Sequence, residues 1–155
     1  MALMTTTPDP ITQEIITLVV GLGERMRAHF AEVTADFGLS PMEGRALFGL
    51  EEPLPMNELA YTLHCDASYI TGITDRLEEQ GLVERRVDED DRRVKQLVLT
   101  TKGKQLRKAM QLRAEQDLPA TAGLTSEQRR ALRDLLRATI LANSAMQAGN
   151  VDTAC

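Results

Sequence analysis

Ser68, Tyr69, Thr71, Gly72 and Arg76 fall within one run of helical spacing, Ala67 to Gln80, and Arg92, Arg93 and Lys95 follow shortly after. The chemistry open to such a set is recognition. Hydroxyls donate to or accept from base edges and phosphate oxygens, a threonine methyl can touch a thymine methyl, and guanidinium groups suit phosphates and narrow minor grooves. On a helix over Ala67–Gln80, Ile70, Ile73 and Leu77 share one side and should face a core. Ser68, Thr71, Gly72, Asp75 and Glu79 take the other side, with Tyr69 and Arg76 on the flanks. Asp75 can accept from a cytosine amino group or pair with Arg85 or Arg86, and the pairing is the expected role. Gly72 costs a mid-helix position about 1 kcal/mol relative to Ala. Two reasons stand for it: close approach of the helix backbone to a duplex, or simple tolerance of a weak helix former.

The acids Asp88-Glu89-Asp90-Asp91 would by themselves repel phosphate, but Arg92 and Arg93 follow at once. A neighbouring carboxylate can hold a guanidinium in position, preorganised for a minor groove. Lys95, Lys102 and Lys104 can add phosphate contacts. A charged hairpin tip is in most proteins a solvated turn; this one gains meaning from the helices that precede it.

Catalysis finds no support: there is no nucleophile elbow, phosphate loop, HExxH motif or convincing catalytic pair. No enzyme and no cofactor are expected. Two histidines and two cysteines make no spaced ligand set, so no metal is expected either. Cys65 and Cys155 lie far apart and give no disulfide framework, which points to the reducing cytoplasm.

The elements that must position these side chains follow from caps and periodicity. Asp9-Pro10 opens a long amphipathic helix, with Ile11, Ile15, Leu18, Leu22, Met26, Phe30, Val33 and Phe37 at steps of three and four, stopped by Gly38. Ser40-Pro41-Met42-Glu43 is a capping box that starts a second helix running to about Leu50. After Pro53 and Pro55 comes a short helix, about Asn57–Leu63. A turn at His64-Cys65-Asp66 follows, then the helix to about Gln80, capped by Asp66 and ended by Gly81. Leu82–Val87 and Val94–Leu99 read as strands. Thr100-Thr101 starts a fifth helix to about Leu118. Thr125-Ser126-Glu127-Gln128 is a second capping box, opening a last helix with the stripe Leu132, Leu135, Leu136, Thr139 and Ile140. A short helix, a turn, a second helix and a two-strand hairpin in this order predict a winged helix-turn-helix.

The chain has 155 residues, 43% of them apolar but only 3% aromatic, with no Trp. That fits one mainly helical domain over 1–155 with an aliphatic core and a small β-hairpin wing. The net charge of −5 excludes a protein coated in basic surface, so any duplex-binding face is a small patch and binding should weaken with salt. No apolar run approaches a membrane span, and the N-terminus lacks the pattern of a signal peptide. The strong stripes of the first and last helices predict that they pack on the same helices of a second copy, although packing within one monomer is the simpler alternative.

These residues resemble the MarR family of transcriptional regulators. The resemblance rests on the wing run Asp91-x-Arg93 with Leu99-Thr100 and Gly103, and on Thr71 to Arg85, with Asp75-Arg76-Leu77 and Gly81-Leu82-Val83-Glu84-Arg85. It covers nearly the whole chain. It implies a homodimer joined through terminal helices at about 11–37 and 101–147, around a DNA-binding lobe at about 40–100. It also implies a palindromic operator, repression as the commoner outcome, and release by a small phenolic or other anionic ligand. Arg93 would then enter the minor groove and Ser68, Tyr69, Thr71 and Gly72 the major groove. His64-Cys65 departs from the glycine and aliphatic residue common in that turn, and Gly72 stands where a basic residue is common. The effector site implied lies between the dimerisation helices and the DNA-binding lobe, where Met26, His29, Phe30, Met42 and Arg45 are candidates to line it; each of these is also readable as core or as a satisfied histidine. Cys65, near a helix N-terminus, makes a thiol sensor the alternative, against the expectation of a buried, inert cysteine. A winged helix that binds another protein, with no operator of its own, is the rival from a different class.

Overall fold

A computed structural model of the chain describes residues 9–87 and 95–151, with side chains described as far as residue 142. Six helices and three short strands follow in the order α1 (Pro10–Asp36), α2 (Pro41–Gly49), β1 (Leu54–Pro55), α3 (Met56–Leu63), α4 (Ala67–Glu79), β2 (Val83–Val87), β3 (Lys95–Leu99), α5 (Thr101–Glu115) and α6 (Ser126–Val151). The mainly helical winged helix-turn-helix is therefore present, with α3 and α4 as its helix pair and β2–β3 as its hairpin. The two-residue β1 was not foreseen. It pairs Leu54 with Leu97 and gives an antiparallel sheet in the order β1-β3-β2.

Local chemistry explains most of the boundaries. The Asp9 carboxylate accepts from the Thr12 backbone N–H at 3.1 Å, and Pro10 takes the first helical position. The Ser40 N–H donates to Glu43 Oε2 at 2.7 Å while the Glu43 N–H donates to Ser40 Oγ at 3.3 Å, completing the capping box. Thr100 Oγ1 accepts from the Gly103 N–H at 3.0 Å. Thr125 and Gln128 form the second box before α6. Gly38 (φ +70) and Gly81 (φ +69) follow α1 and α4 in the left-handed conformation that suits glycine.

Two expectations need correction. Asp66 occupies the N-cap of α4, but its side chain makes no capping hydrogen bond. Helix α5 ends at Glu115 rather than near Leu118. Gln116 is extended and Asp117 takes φ +52, which breaks the helix ahead of the conformational restriction Pro119 places on Leu118. His64, closing α3, is also left-handed (φ +54), and its ring Nδ1 lies 2.9 Å from the Tyr61 carbonyl oxygen.

The described chain falls into two compact units that meet in sequence at Pro119 and Ala120. In the first, Leu47, Leu50, Leu59, Ile70, Ile73, Leu77, Leu82, Leu97 and Met110 form one aliphatic core that joins α2, α3, α4, α5 and the sheet. Helix α1 joins this core only through its C-terminal half, where Val33 and Thr34 are fully buried. His29 and Asp36 tie that half to α5: His29 Nε2 meets the Ala114 carbonyl oxygen at 2.9 Å, and Arg113 Nε donates to Asp36 at 2.9 Å. The N-terminal half leaves Ile11, Ile15, Ile16, Leu18, Val19 and Val20 exposed. In the second unit, α6 leaves Leu135, Leu136, Ile140 and Leu141 exposed.

Candidate functional site

Helix α4 buries Ile70, Ile73 and Leu77, and Thr74 with them. The residues between them, Ser68, Tyr69, Thr71, Gly72, Asp75 and Arg76, lie on the exposed side as their spacing predicts. Thr71 Oγ1 donates to the Ala67 carbonyl at 2.9 Å, so its oxygen keeps an acceptor role. A Cβ added to Gly72 would meet nothing within 4 Å, so no packing inside the protein explains this glycine.

Asp75 is engaged within the protein. Its carboxylate pairs with Arg85 of β2, the partner expected for it. The same guanidinium pairs with Glu78 and donates to Thr74 Oγ1 at 3.1 Å, while the Arg85 backbone N–H donates to Glu78 at 3.3 Å. Arg85 thus fastens the first wing strand along one flank of α4, and its side chain is only 24% exposed. Arg86, next in the strand, pairs with Glu84 at the surface.

Arg76 is held from elsewhere. Its Nε donates to Glu43 Oε1 at 2.9 Å, and Glu43 is the buried acid of the α2 capping box. Burial pushes the Glu43 carboxyl up. Ser40, through its backbone N–H and its side chain, and the charge of Arg76 together outweigh that and hold it below the ordinary glutamate value. The capping box was legible locally. Nothing local joins Glu43 to a residue 33 positions on, so this contact was missed.

Lys95 is exposed at the start of β3, opposite Val87. Lys102, a candidate phosphate contact, donates to the Gln80 carbonyl at 2.8 Å and so reaches the C-terminal end of α4. Arg92 and Arg93 lie outside the described residues. At the corner between α3 and α4, Tyr61, His64, Cys65, Asp66 and Tyr69 surround a shallow notch of about 540 Å³. Cys65 is half-buried there, and its Sγ lies 3.3 Å from the Leu63 carbonyl oxygen.

A second, larger groove of about 910 Å³ lies between α1, α2 and the end of α3. Met26, Phe30, Met42 and Arg45, four of the candidate effector residues, line it together with Arg27, Ala31, Pro41, Phe48, Thr62 and Leu63. His29 does not line it. Its ring faces α5, where the Ala114 carbonyl occupies Nε2. The wall is apolar and sulfur-rich, with two guanidinium groups on it. Among the described residues, no group of three or more His, Cys, Asp or Glu side chains is placed to hold a metal, and no helix is long and apolar enough to cross a membrane.

The MarR family model matches residues 43–95, from the capping box to the start of β3. A probable transcriptional regulator from Pseudomonas aeruginosa is 30% identical over 83% of this chain and 98% of its own, with a TM-score of 0.63. The chain belongs to the MarR family. Members of the family are transcription regulators with a winged helix, and DNA binding is their shared property. CouR from Rhodococcus jostii, solved bound to p-coumaroyl-CoA, is 26% identical over 85% of this chain and 95% of its own, with a TM-score of 0.65. A MarR-family protein from Bacillus stearothermophilus shares the fold at a TM-score of 0.78 and 21% identity, over 90% of this chain and 99% of its own. No curated protein matches the chain significantly by sequence.

Proposed function

We propose that the chain works as a homodimer that binds a palindromic operator, represses from it, and is released by a small anionic ligand with an apolar or phenolic body. The observation that carries the reading is the exposed face of α4. It offers Ser68, Tyr69, Thr71, Gly72 and Arg76 on a helix whose other side is fully buried, with the wing strand fastened beside it by Arg85. Such a helix is the right width for a major groove, and its polar side chains suit base edges and phosphates. Arg92, Arg93 and Lys95 are the wing residues proposed to reach the flanking groove and backbone.

Dimerisation is supported by the bare stripe of α1. Ile11, Leu18 and Val19 each expose over half of their surface, a cost that a second copy removes by covering them. The exposed leucines and isoleucine of α6 add to the apolar surface available for this purpose. On this reading the dimerisation helices are those at about 11–37 and 101–147 and the DNA-binding lobe is at about 40–100. The groove supports the ligand class: Met26, Phe30 and Met42 suit an apolar ring, and Arg27 and Arg45 suit a carboxylate or phosphate at its edge. CouR, with its p-coumaroyl-CoA, is a relative whose ligand has both features.

Binding of the purified protein to the DNA upstream of its own gene, beside a scrambled duplex at low and moderate salt, tests the reading. Tight, salt-sensitive, sequence-selective binding by a dimer, lost in Arg93→Ala, is the expected result. Equal weak binding to both duplexes, unchanged in Arg93→Ala, would favour a winged helix that docks on another protein.

A further inference from the structure

We infer that Glu43 is a positioning residue for operator recognition: from the first turn of α2 it fixes the arginine that flanks the reading face of α4. The inference rests on the DNA-binding reading above and adds a residue that lies off the DNA-facing helix and is itself 6% exposed.

The geometry is specific. Glu43 divides its two oxygens: Oε2 accepts from the Ser40 N–H at 2.7 Å, and Oε1 accepts from Arg76 Nε at 2.9 Å. A carboxylate held by the end of its own helix has little freedom of its own, so it makes a fixed anchor. Arg76 Nε is the inner nitrogen of the guanidinium. Engaging it spares the two terminal nitrogens, and the Arg76 side chain is 55% exposed despite the anchor. An unanchored arginine side chain carries rotamer entropy that a phosphate contact would have to overcome. The anchor removes part of that cost before the duplex arrives. Arg76 stands one helical turn after Gly72, so the anchored group sits beside the open stretch of α4 where a duplex backbone can come closest.

The anchor also has a second neighbour. Pro41 and Met42, in the same helical turn as Glu43, line the apolar groove. One capping box therefore borders the groove on one side and holds a residue of the reading helix on the other.

The test uses the full chain and a duplex enriched by it from a random-sequence pool. Affinity is then measured for the wild type, Glu43→Gln, Arg76→Ala and the double variant, each with a melting curve. Glutamine keeps a capping-box acceptor for Ser40 but removes the charge that holds Arg76. The expected result is a loss of about fivefold or more in Glu43→Gln, shrinking to under about twofold when Arg76 is already alanine. Ser40→Ala, which weakens the cap without touching the Arg76 contact, should lower the melting temperature and leave affinity within about twofold. Equal losses from Glu43→Gln in both backgrounds, or an equal loss from Ser40→Ala, would assign Glu43 a merely structural role. Tighter binding by Glu43→Gln would make it a competitor for the guanidinium and overturn the inference. A wild-type chain that enriches no sequence overturns the operator reading itself, and that result is visible before any variant is made.

Discussion

The Cβ that Gly103 lacks would sit 2.0 Å from the carbonyl oxygen of Leu82 and 3.0 Å from its carbon. Helix α5 thus begins in backbone contact with the residue that leads into the wing, and the Thr100 cap holds it there, with Thr100 Oγ1 also donating to the Gly81 carbonyl at 2.7 Å. The obstacle is main chain on both sides, so a side chain at 103 cannot be accommodated by a rotamer change. Gly103→Ala should destabilise the fold by about 3 kcal/mol, at the upper end for overpacking. That corresponds to a melting temperature about 6–12 °C lower for a chain of this size. Thermal denaturation followed by circular dichroism measures it, and an unchanged melting point would mean that α5 and Leu82 are further apart in solution.

Gly72 gives the opposite outcome. Its missing Cβ faces open space, and alanine is the better helix former by up to about 1 kcal/mol. Gly72→Ala should melt slightly higher than the wild type. Gly72→Val, bulkier and exposed, should still fold, yet weaken operator binding by about tenfold if a duplex backbone comes within contact distance. Stability and affinity moving in opposite directions would identify a glycine kept for its ligand. Full operator affinity in both variants would leave Gly72 as a tolerated weak position.

Arg85 and Arg86 are adjacent, of one type, and predicted to behave differently. Arg85 engages Asp75, Glu78 and Thr74 across the α4–β2 corner with its side chain mostly covered, whereas Arg86 makes one ion pair at the surface. Arg85→Ala should cost about 1–3 kcal/mol of stability, because it leaves charged partners of a half-covered cluster without their donor. Arg86→Ala should stay within about 0.5 kcal/mol. Urea titrations of the two variants compare them directly.

Glu43 makes acid sensitivity local. Its native pKa lies below its ordinary value, so its ion pair and cap contribute stability that is fully present above about pH 4.3 and lost as the pH falls through the lower native value. Glu43→Gln should therefore flatten the acid limb of the stability curve in that window and leave the difference between variant and wild type constant near neutrality. A variant curve parallel to the wild type down to low pH would place the acid-sensitive group elsewhere.

Short-range chemistry was legible in the chain, and long-range contact was not. Ser40-Pro41-Met42-Glu43 and Thr125-Ser126-Glu127-Gln128 announce helix starts because the bonds they make span three residues. The reading face of α4 was legible because period 3.6 sorts Ile70, Ile73 and Leu77 from Ser68, Thr71 and Arg76. The pairing of Asp75 with Arg85 could be anticipated because a helix, a tight turn and a strand bring those positions together in any winged hairpin. β1 was missed because two residues, Leu54 and Pro55, directly after Pro53 have no strand pattern, and Leu54 pairs only because Leu97 presents an edge. His29 was readable either as a candidate for the groove or as a satisfied histidine, and the contact with Ala114 makes it the second; which side of α1 it serves depends on where α5 runs. The link from Glu43 to Arg76 needs α2 and α4 packed side by side, which no motif encodes.

The corner between α3 and α4 has fixed its own proton. A backbone carbonyl only accepts, so the 2.9 Å contact between His64 Nδ1 and the Tyr61 oxygen requires the hydrogen to reside on Nδ1. In the neutral ring that choice of tautomer leaves Nε2 with a lone pair. The residue that closes the turn therefore offers an approaching group an electron pair, and can donate from Nε2 only after the imidazole has taken up a second proton.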